Sequence, residues 1–248
     1  MPLTFSFAEV LSEIATIEKI ASKYISRESA NVLPNLHASL ENVRTQRNNA
    51  VVEWGIPADA PLRTSTSLGD YECEPRNGEH NVSAEISSIW EITPFGNRDA
   101  GGISKWFSLT GKASTVARII RHDPHAKVEI AMWRMEIGDD GAPGCRFHVQ
   151  IMGEHDHPPF PHSLSVPRLP TIIFTPMAVI EFVIGELFQD DWRREGSRDT
   201  PAIHEWRQIQ QRRFQKLFEW HSTVLATSTA SPWLALKLAA VDRDLFAK

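Results

Sequence analysis

From Val82 to Met152 the chain is written largely in period two, and this limits its fold more than any other feature. In residues 82–92 the positions Val82, Ala84, Ile86, Trp90 and Ile92 share one side, while Ser83, Glu85, Ser87 and Glu91 share the other. Such alternation predicts a strand with one buried face and one wet face. Residues 105–121, 127–137 and 145–152 read as three more strands, the first long enough to bend near Gly111. Turn-rich stretches separate them: Pro94 through Gly102, His122-Asp123-Pro124-His125, and Asp139 through Gly144. Connections this short permit hairpins but not crossovers, so a four-stranded antiparallel meander is expected.

Helical signals flank the meander. Ser6 and Glu9 have capping-box spacing, with Phe5 and Val10 placed as a hydrophobic staple. Phe7, Val10, Leu11, Ile14, Ile17, Ala21 and Tyr24 then form one apolar face, predicting a helix to about Ile25. A second helix is expected between Asn35 and about Gln46. Residues 55–81 are rich in Gly, Pro, Ser, Thr and charge and read as loop, with a short strand near 64–68. Beyond the meander, Thr175-Pro176 is an N-cap followed by proline at the first helical position. It opens a helix with Met177, Ile180, Val183, Ile184, Leu187 and Phe188 inward. Glu186, Asp190 and Asp191 fall on its solvent side. Residues 203–225 form another helix, with Ile203, Trp206, Ile209, Leu217 and Val224 inward and Arg207, Arg212, Arg213 and Lys216 outward. Ser231-Pro232 opens a last helix to the C-terminus. The fold class is α+β: an N-terminal helix or helical hairpin, the meander, a Pro/His-rich loop, and about three C-terminal helices. The expected organisation is one domain over 1–248, with 1–50 a helical N-terminal element and 197–248 a helical C-terminal appendage.

Chemistry concentrates where the fourth strand enters the loop. Phe147, Val149 and Ile151 alternate toward the core, which places Arg146, His148 and Gln150 side by side on the other face. A guanidinium, an imidazole and an amide so placed can bind a carboxylate or phosphate, or can form a solvated face. Arg168, in the sequence VPRLP before the helix, is placed to add a further anion contact. Glu154-His155-Asp156-His157 and then His162 supply imidazoles and carboxylates for a zinc or manganese site, with His155, His157 and His162 as candidate ligands. Their spacing matches no metalloprotease or zinc-finger template, and solvated or structural histidines are the alternative. Glu129 and Glu136 are the acidic residues a nuclease reading would draw on. Cys145 alternates with Phe147 onto the apolar face, as a buried thiol would.

Composition narrows the classes. A net charge of −5 lacks the basic footprint of a general nucleic-acid binder. Two cysteines, Cys73 and Cys145, are too few for a disulfide scaffold; a single bridge between them is the alternative to two reduced thiols. The first thirty residues carry charges throughout, unlike a signal peptide, and no apolar run approaches a membrane span. A cytoplasmic protein is expected. Eight tryptophans supply both core and interface material.

FHVQI, PFPHSLSVPRLP, and TP leading into EFVIGELFQDDW together resemble a group of uncharacterised bacterial proteins. The likeness covers about fifty residues. It implies that strand, loop and helix form a unit, and it carries no activity. The order of elements is also similar to that of ubiquitin-conjugating-enzyme and RWD domains. The chain departs from that pattern: no His-Pro-Asn stands in the loop, and Cys145 opens the fourth strand instead of following the meander. This second resemblance implies an inactive, binding version of such a fold.

The resulting first expectation is a non-enzymatic bacterial binding or assembly protein without a cofactor, acting through contacts with a protein partner or in a homo-oligomer. A metal-dependent hydrolase or nuclease built on the His-rich loop is the second. A sensor of a phosphorylated ligand or nucleotide, using Arg146, His148, Gln150 and Arg168, is the third.

Overall fold

The computed structural model describes residues 3–46, 49–67, 81–98, 102–138, 144–153 and 168–247. The meander is present. Strands β4 (Asn81–Arg98), β5 (Ser104–Asp123), β6 (Ala126–Ile137) and β7 (Phe147–Gly153) pair antiparallel in sequence order. Four short strands complete the sheet. β2 (Val52–Trp54) and β3 (Leu62–Arg63) pair with β4, and β8 (Leu169–Pro170) pairs with β7. β1 (Thr4–Ser6) takes the part of the β5 edge that β6 does not reach, matching Thr4 with Ser108 and Ser6 with Trp106. Pieces of two or three residues show no periodicity of their own, and only their partners define them as strands.

One strand outline differs from the sequence reading, and one expected bend is present. β4 continues through Pro94 to Arg98, so the turn expected from Pro94 is narrower. The first-hairpin ladder breaks where Trp90 pairs with Ala113 but Ile92 with Leu109. Gly111 lies in that bulge. A Cβ there would come within 1.8 Å of Glu91 Oε2, so the bend expected at this glycine is also where a neighbouring carboxylate takes the space.

The helices cover one face of the sheet. They are α1 (Phe7–Ala21), α2 (Val32–Thr45), α3 (Pro176–Gly196), α4 (Pro201–Thr227) and α5 (Pro232–Leu238). α1 ends four residues before the expected Ile25, where a single 3-10 turn follows. α5 stops at Leu238 instead of reaching the C-terminus. Ser6 and Thr175 cap as the sequence implies, accepting from the backbone N–H groups of Glu9 and Ala178. Thr200 does the same for Ile203, a cap the sequence reading did not name, whereas the Ser231 side chain, expected to cap α5, makes no cap bond. α1 packs against α2, α3 and α4 as well as against β5.

One apolar core takes residues from both ends of the chain. Phe5, Phe7, Ile14 and Tyr24 join Ala84, Ile86, Trp90 and Phe107 from the sheet. Val183, Ile184, Leu217, Val241 and Phe246 come from the C-terminal part. α3 contains a break at Gln189, whose φ of 27° lies in the left-handed region that non-glycine residues rarely occupy. Beyond it, Trp192 meets Tyr24 edge-on at 5.5 Å, and Asp191 and Glu195 hold Lys23 at 3.0 and 3.2 Å.

Arg213 is a correction. Helical phase places it outward with Arg212, yet it is 1% exposed and set between α1 and α4. Its Nε donates to Glu9 at 3.0 Å, and its Nη1 pairs with Glu13, a carboxylate with no exposure. Glu13 Oε1 also accepts from Thr175 and Gln210, each at 2.8 Å. Burial opposes the guanidinium's charge, and Glu13 and Glu9 more than offset this, raising its pKa. Only half of the predicted capping box forms: Ser6 accepts from the Glu9 N–H, while the Glu9 carboxylate goes to Arg212 and Arg213.

Candidate functional site

The face of the sheet turned away from the helices carries the polar residues of the strands. Cross-strand register arranges them in rows. Ile89, Ser114, Glu136 and His148 follow one another across β4 to β7, and Ser87, Val116, Arg134 and Gln150 form the next row. Two of the predicted anion-binding residues, His148 and Gln150, therefore meet Glu136. His148 Nε2 lies 3.2 Å from Glu136 Oε2, and Gln150 Nε2 donates to the same oxygen at 3.4 Å. The predicted donors do gather round a carboxylate, and that carboxylate belongs to the chain itself.

Contrary to the expected wet face, His148 is 2% exposed. Its Nδ1 contacts the Cys145 carbonyl at 2.9 Å. Both ring nitrogens thus face oxygen atoms of the chain itself. Cys145 is buried as a free thiol, its Sγ donating to the Phe147 carbonyl, and burial pushes its pKa up. Arg168 lies over Gly144, where an added Cβ would come 2.4 Å from its Cδ. Ile151, expected inward, is 39% exposed toward the end of its strand. Arg146 is half-buried at the entry to β7.

The His148 contact is the main reason that the Glu136 carboxyl lies below its ordinary value of 4.5; the charges of Arg134 and Arg168 add to the effect. A depressed folded-state pKa contributes stability that is present above the unfolded value and lost as pH falls through the folded one. Glu136→Gln should therefore lower the urea midpoint at neutral pH, and the gap from wild type should narrow once the pH drops below 4.5. A gap that stays constant down to about pH 3 would show that the carboxylate's charge is not what the contact uses.

Next to this cluster lies a groove of about 520 Å³. Its sheet side carries Ser87, Ile89, Ser114, Val116 and the cations Lys112, Arg118 and Arg134. Its wall is the segment from Ile56 to Asp59, after β2. Two bonds fasten that wall to β4: Ile56 N–H donates to Ser88 Oγ at 3.0 Å, and Ser88 N–H donates to the Ile56 carbonyl at 2.9 Å. Gly55 makes this approach possible, since a Cβ there would lie 2.1 Å from the Ser88 carbonyl oxygen and its φ is 154°. Among the described residues, Lys112 and Arg134 make no hydrogen bond or ion pair, and the Ser87 and Ser114 hydroxyls have no protein partner. The sequence reading did not single these residues out. Their signal was the spacing of Lys112, Ser114, Val116 and Arg118, one face of a strand, but the groove needs Arg134 from β6 and a wall from residues 56–59.

The C-terminal helices present a second, apolar surface. Of eight exposed large apolar side chains among the described residues, five lie on α4 and α5: Phe218, Leu225, Trp233, Leu234 and Leu238. The exposed apolar positions on α4 are not on its core face. Ile203, Trp206, Leu217 and Trp220 point into the core, while Phe214, Phe218, His221 and Leu225, spaced by four, three and four, form a separate stripe.

The candidate metal ligands His155, His157 and His162, with Glu154 and Asp156, lie outside the described residues, as does Cys73. Among the described residues no group of three or more His, Cys, Asp or Glu side chains is placed to hold a metal ion. Among them also, no helix is long and apolar enough to cross a membrane. No protein-family model, curated protein or solved structure matches the chain, so neither resemblance gains support from a known relative.

Proposed function

We propose that the chain is a non-enzymatic binding or assembly protein that acts through protein–protein contacts. Its contact surface is the outer stripe of α4, and its first partner is a second copy of the chain. The observation that carries this reading is the stripe of Phe214, Phe218, His221 and Leu225, with Phe218 51% and Leu225 44% exposed. Its four–three–four spacing is the seam of a helix pair, and a twofold axis sets such a seam against its own copy. The flanking Gln208, Gln211, Gln215 and Ser222 are uncharged, so like charges do not oppose the pairing there. The binding of His148 and Gln150 to Glu136 supports the non-enzymatic part, since those two donors are used within the sheet. The cytoplasm is the compartment we assign, supported by Cys145, a buried thiol.

Light scattering coupled to size exclusion tests this reading. The expected species is a dimer of the 28.0 kDa chain. Phe218→Glu/Leu225→Glu is expected to give a monomer that still folds, because both side chains lie outside the core, with a melting temperature that no longer rises with protein concentration. A wild-type protein that stays monomeric up to about 100 μM, or a double variant that still dimerises, would remove α4 as a self-association surface.

A further inference from the structure

We propose that the groove between the open sheet face and the 56–59 wall binds a phosphorylated small molecule with a hydroxyl-bearing body, such as a nucleoside monophosphate or sugar phosphate. The proposal is independent of the α4 surface. It rests on where the unpartnered groups stand.

Arg118 and Arg134 are diagonal neighbours across β5 and β6, because Val116 pairs with Arg134 and Arg118 lies two residues farther along β5. Diagonal pairs are about 7–8 Å apart at the backbone, a separation two guanidinium groups can bridge by holding one phosphate. Ser87 lies in the Val116–Arg134 row and brings a free hydroxyl to the other side of that position. The carboxylates nearby have other partners. Glu85, opposite Arg118, accepts from Arg63 at 2.8 Å, and Glu136 holds His148. Arg118 shares a 3.4 Å contact with Glu129, at 32% and 38% side-chain exposure, so this pair is open to solvent and to exchange. Among the described residues Arg134 makes no ion pair, although its charge is felt by Glu136, whose carboxylate is bonded to His148 and Gln150.

The rest of the groove fits a body attached to that phosphate. Val116 and Ile89 give it an apolar floor, with the Ser114 hydroxyl between them and Lys112 at the far end. The acidic groups stand on the opposite side from Arg134. Asp59 belongs to the wall and Glu53 to β2, and β2 is separated from β6 by β4 and β5. Cations on one side and carboxylates on the other match a molecule with an anionic end and hydroxyl donors, and would repel one that is anionic throughout. The groove's volume falls within the roughly 300–1,000 Å³ of small-molecule sites. Its wall is held in place by the two Ile56–Ser88 bonds, so little ordering is required on binding.

The test is isothermal titration of the full chain with four probes: AMP, UMP, ribose 5-phosphate and glucose 6-phosphate. Each is compared with its dephosphorylated counterpart and with inorganic phosphate. At least one phosphorylated probe is expected to bind about tenfold more tightly than both controls. Binding by nucleotides alone or by sugar phosphates alone identifies the body. Arg118→Ala/Arg134→Ala is expected to weaken that probe about thirtyfold. Val116→Trp, which fills the floor without touching either arginine's charge, should weaken it as well. The proposal is overturned if no probe binds more tightly than inorganic phosphate, or if a folded double variant binds as wild type does. If the double variant fails to fold, undiminished binding by Val116→Trp overturns it equally.

Discussion

Replacing Arg213 by alanine is expected to destabilise the protein by about 3–5 kcal/mol, with a fall in melting temperature of roughly 10 °C. The guanidinium itself is not the main term. Arg213 is 1% exposed and Glu13 has no exposure, so removing the cation leaves a carboxylate sealed among α1, α3 and α4. The Thr175 and Gln210 bonds to Glu13 remain but supply no opposing charge. A second carboxyl makes this worse: Glu181 is pushed up by burial, with Glu13 adding to the rise and a Trp206 hydrogen bond opposing it. The contrasting variant is Glu13→Leu/Arg213→Met. It removes both charges together and should cost far less than Arg213→Ala, since an apolar pair avoids desolvation altogether. Urea denaturation of the two variants decides the matter. A loss below about 1 kcal/mol for Arg213→Ala would mean that water reaches Glu13.

The second large effect is expected at Phe147. This ring is 1% exposed and meets Phe174 at 5.0 Å, Trp220 at 5.7 Å and Phe246 at 6.0 Å. It joins β7 to the segment before α3, to α4 and to the end of the chain. Phe147→Ala should cost about 3–5 kcal/mol through lost transfer energy and the cavity left behind. The consequence should also spread. Amide exchange is expected to accelerate at Trp220 and around Phe246 as well as in β7, because those rings pack on one another. If exchange rises only in β7, residues 197–248 behave as the appendage that the sequence suggested, and the shared aromatic cluster does not couple them to the sheet.

Much of the architecture was legible because it repeats. Period-two alternation from Val82 onward and the turns between strands imply the meander, and the Ser6 and Thr175 caps, each before an apolar stripe, mark two helices. These signals are local: each depends on residues within one turn or one strand. The gathering of His148 and Gln150 on one face was legible for the same reason, while the identity of their acceptor was not. Glu136 comes from the neighbouring strand, and only register sets it opposite His148.

What the sequence by itself determined is therefore the class of each long element and which side chains share a face. Tertiary structure decided which faces are covered. Arg213 belongs by phase beside residues that face water, yet Glu9 and Glu13 on α1 make a buried position favourable for it. Ile151 belongs by phase to the core, yet it lies 39% exposed near its strand's end. The groove needs β5, β6 and a wall from residues 56–59, brought together by Ser88 and Gly55. Periodicity fixes direction about a single backbone, whereas burial and pairing depend on what another part of the chain places opposite.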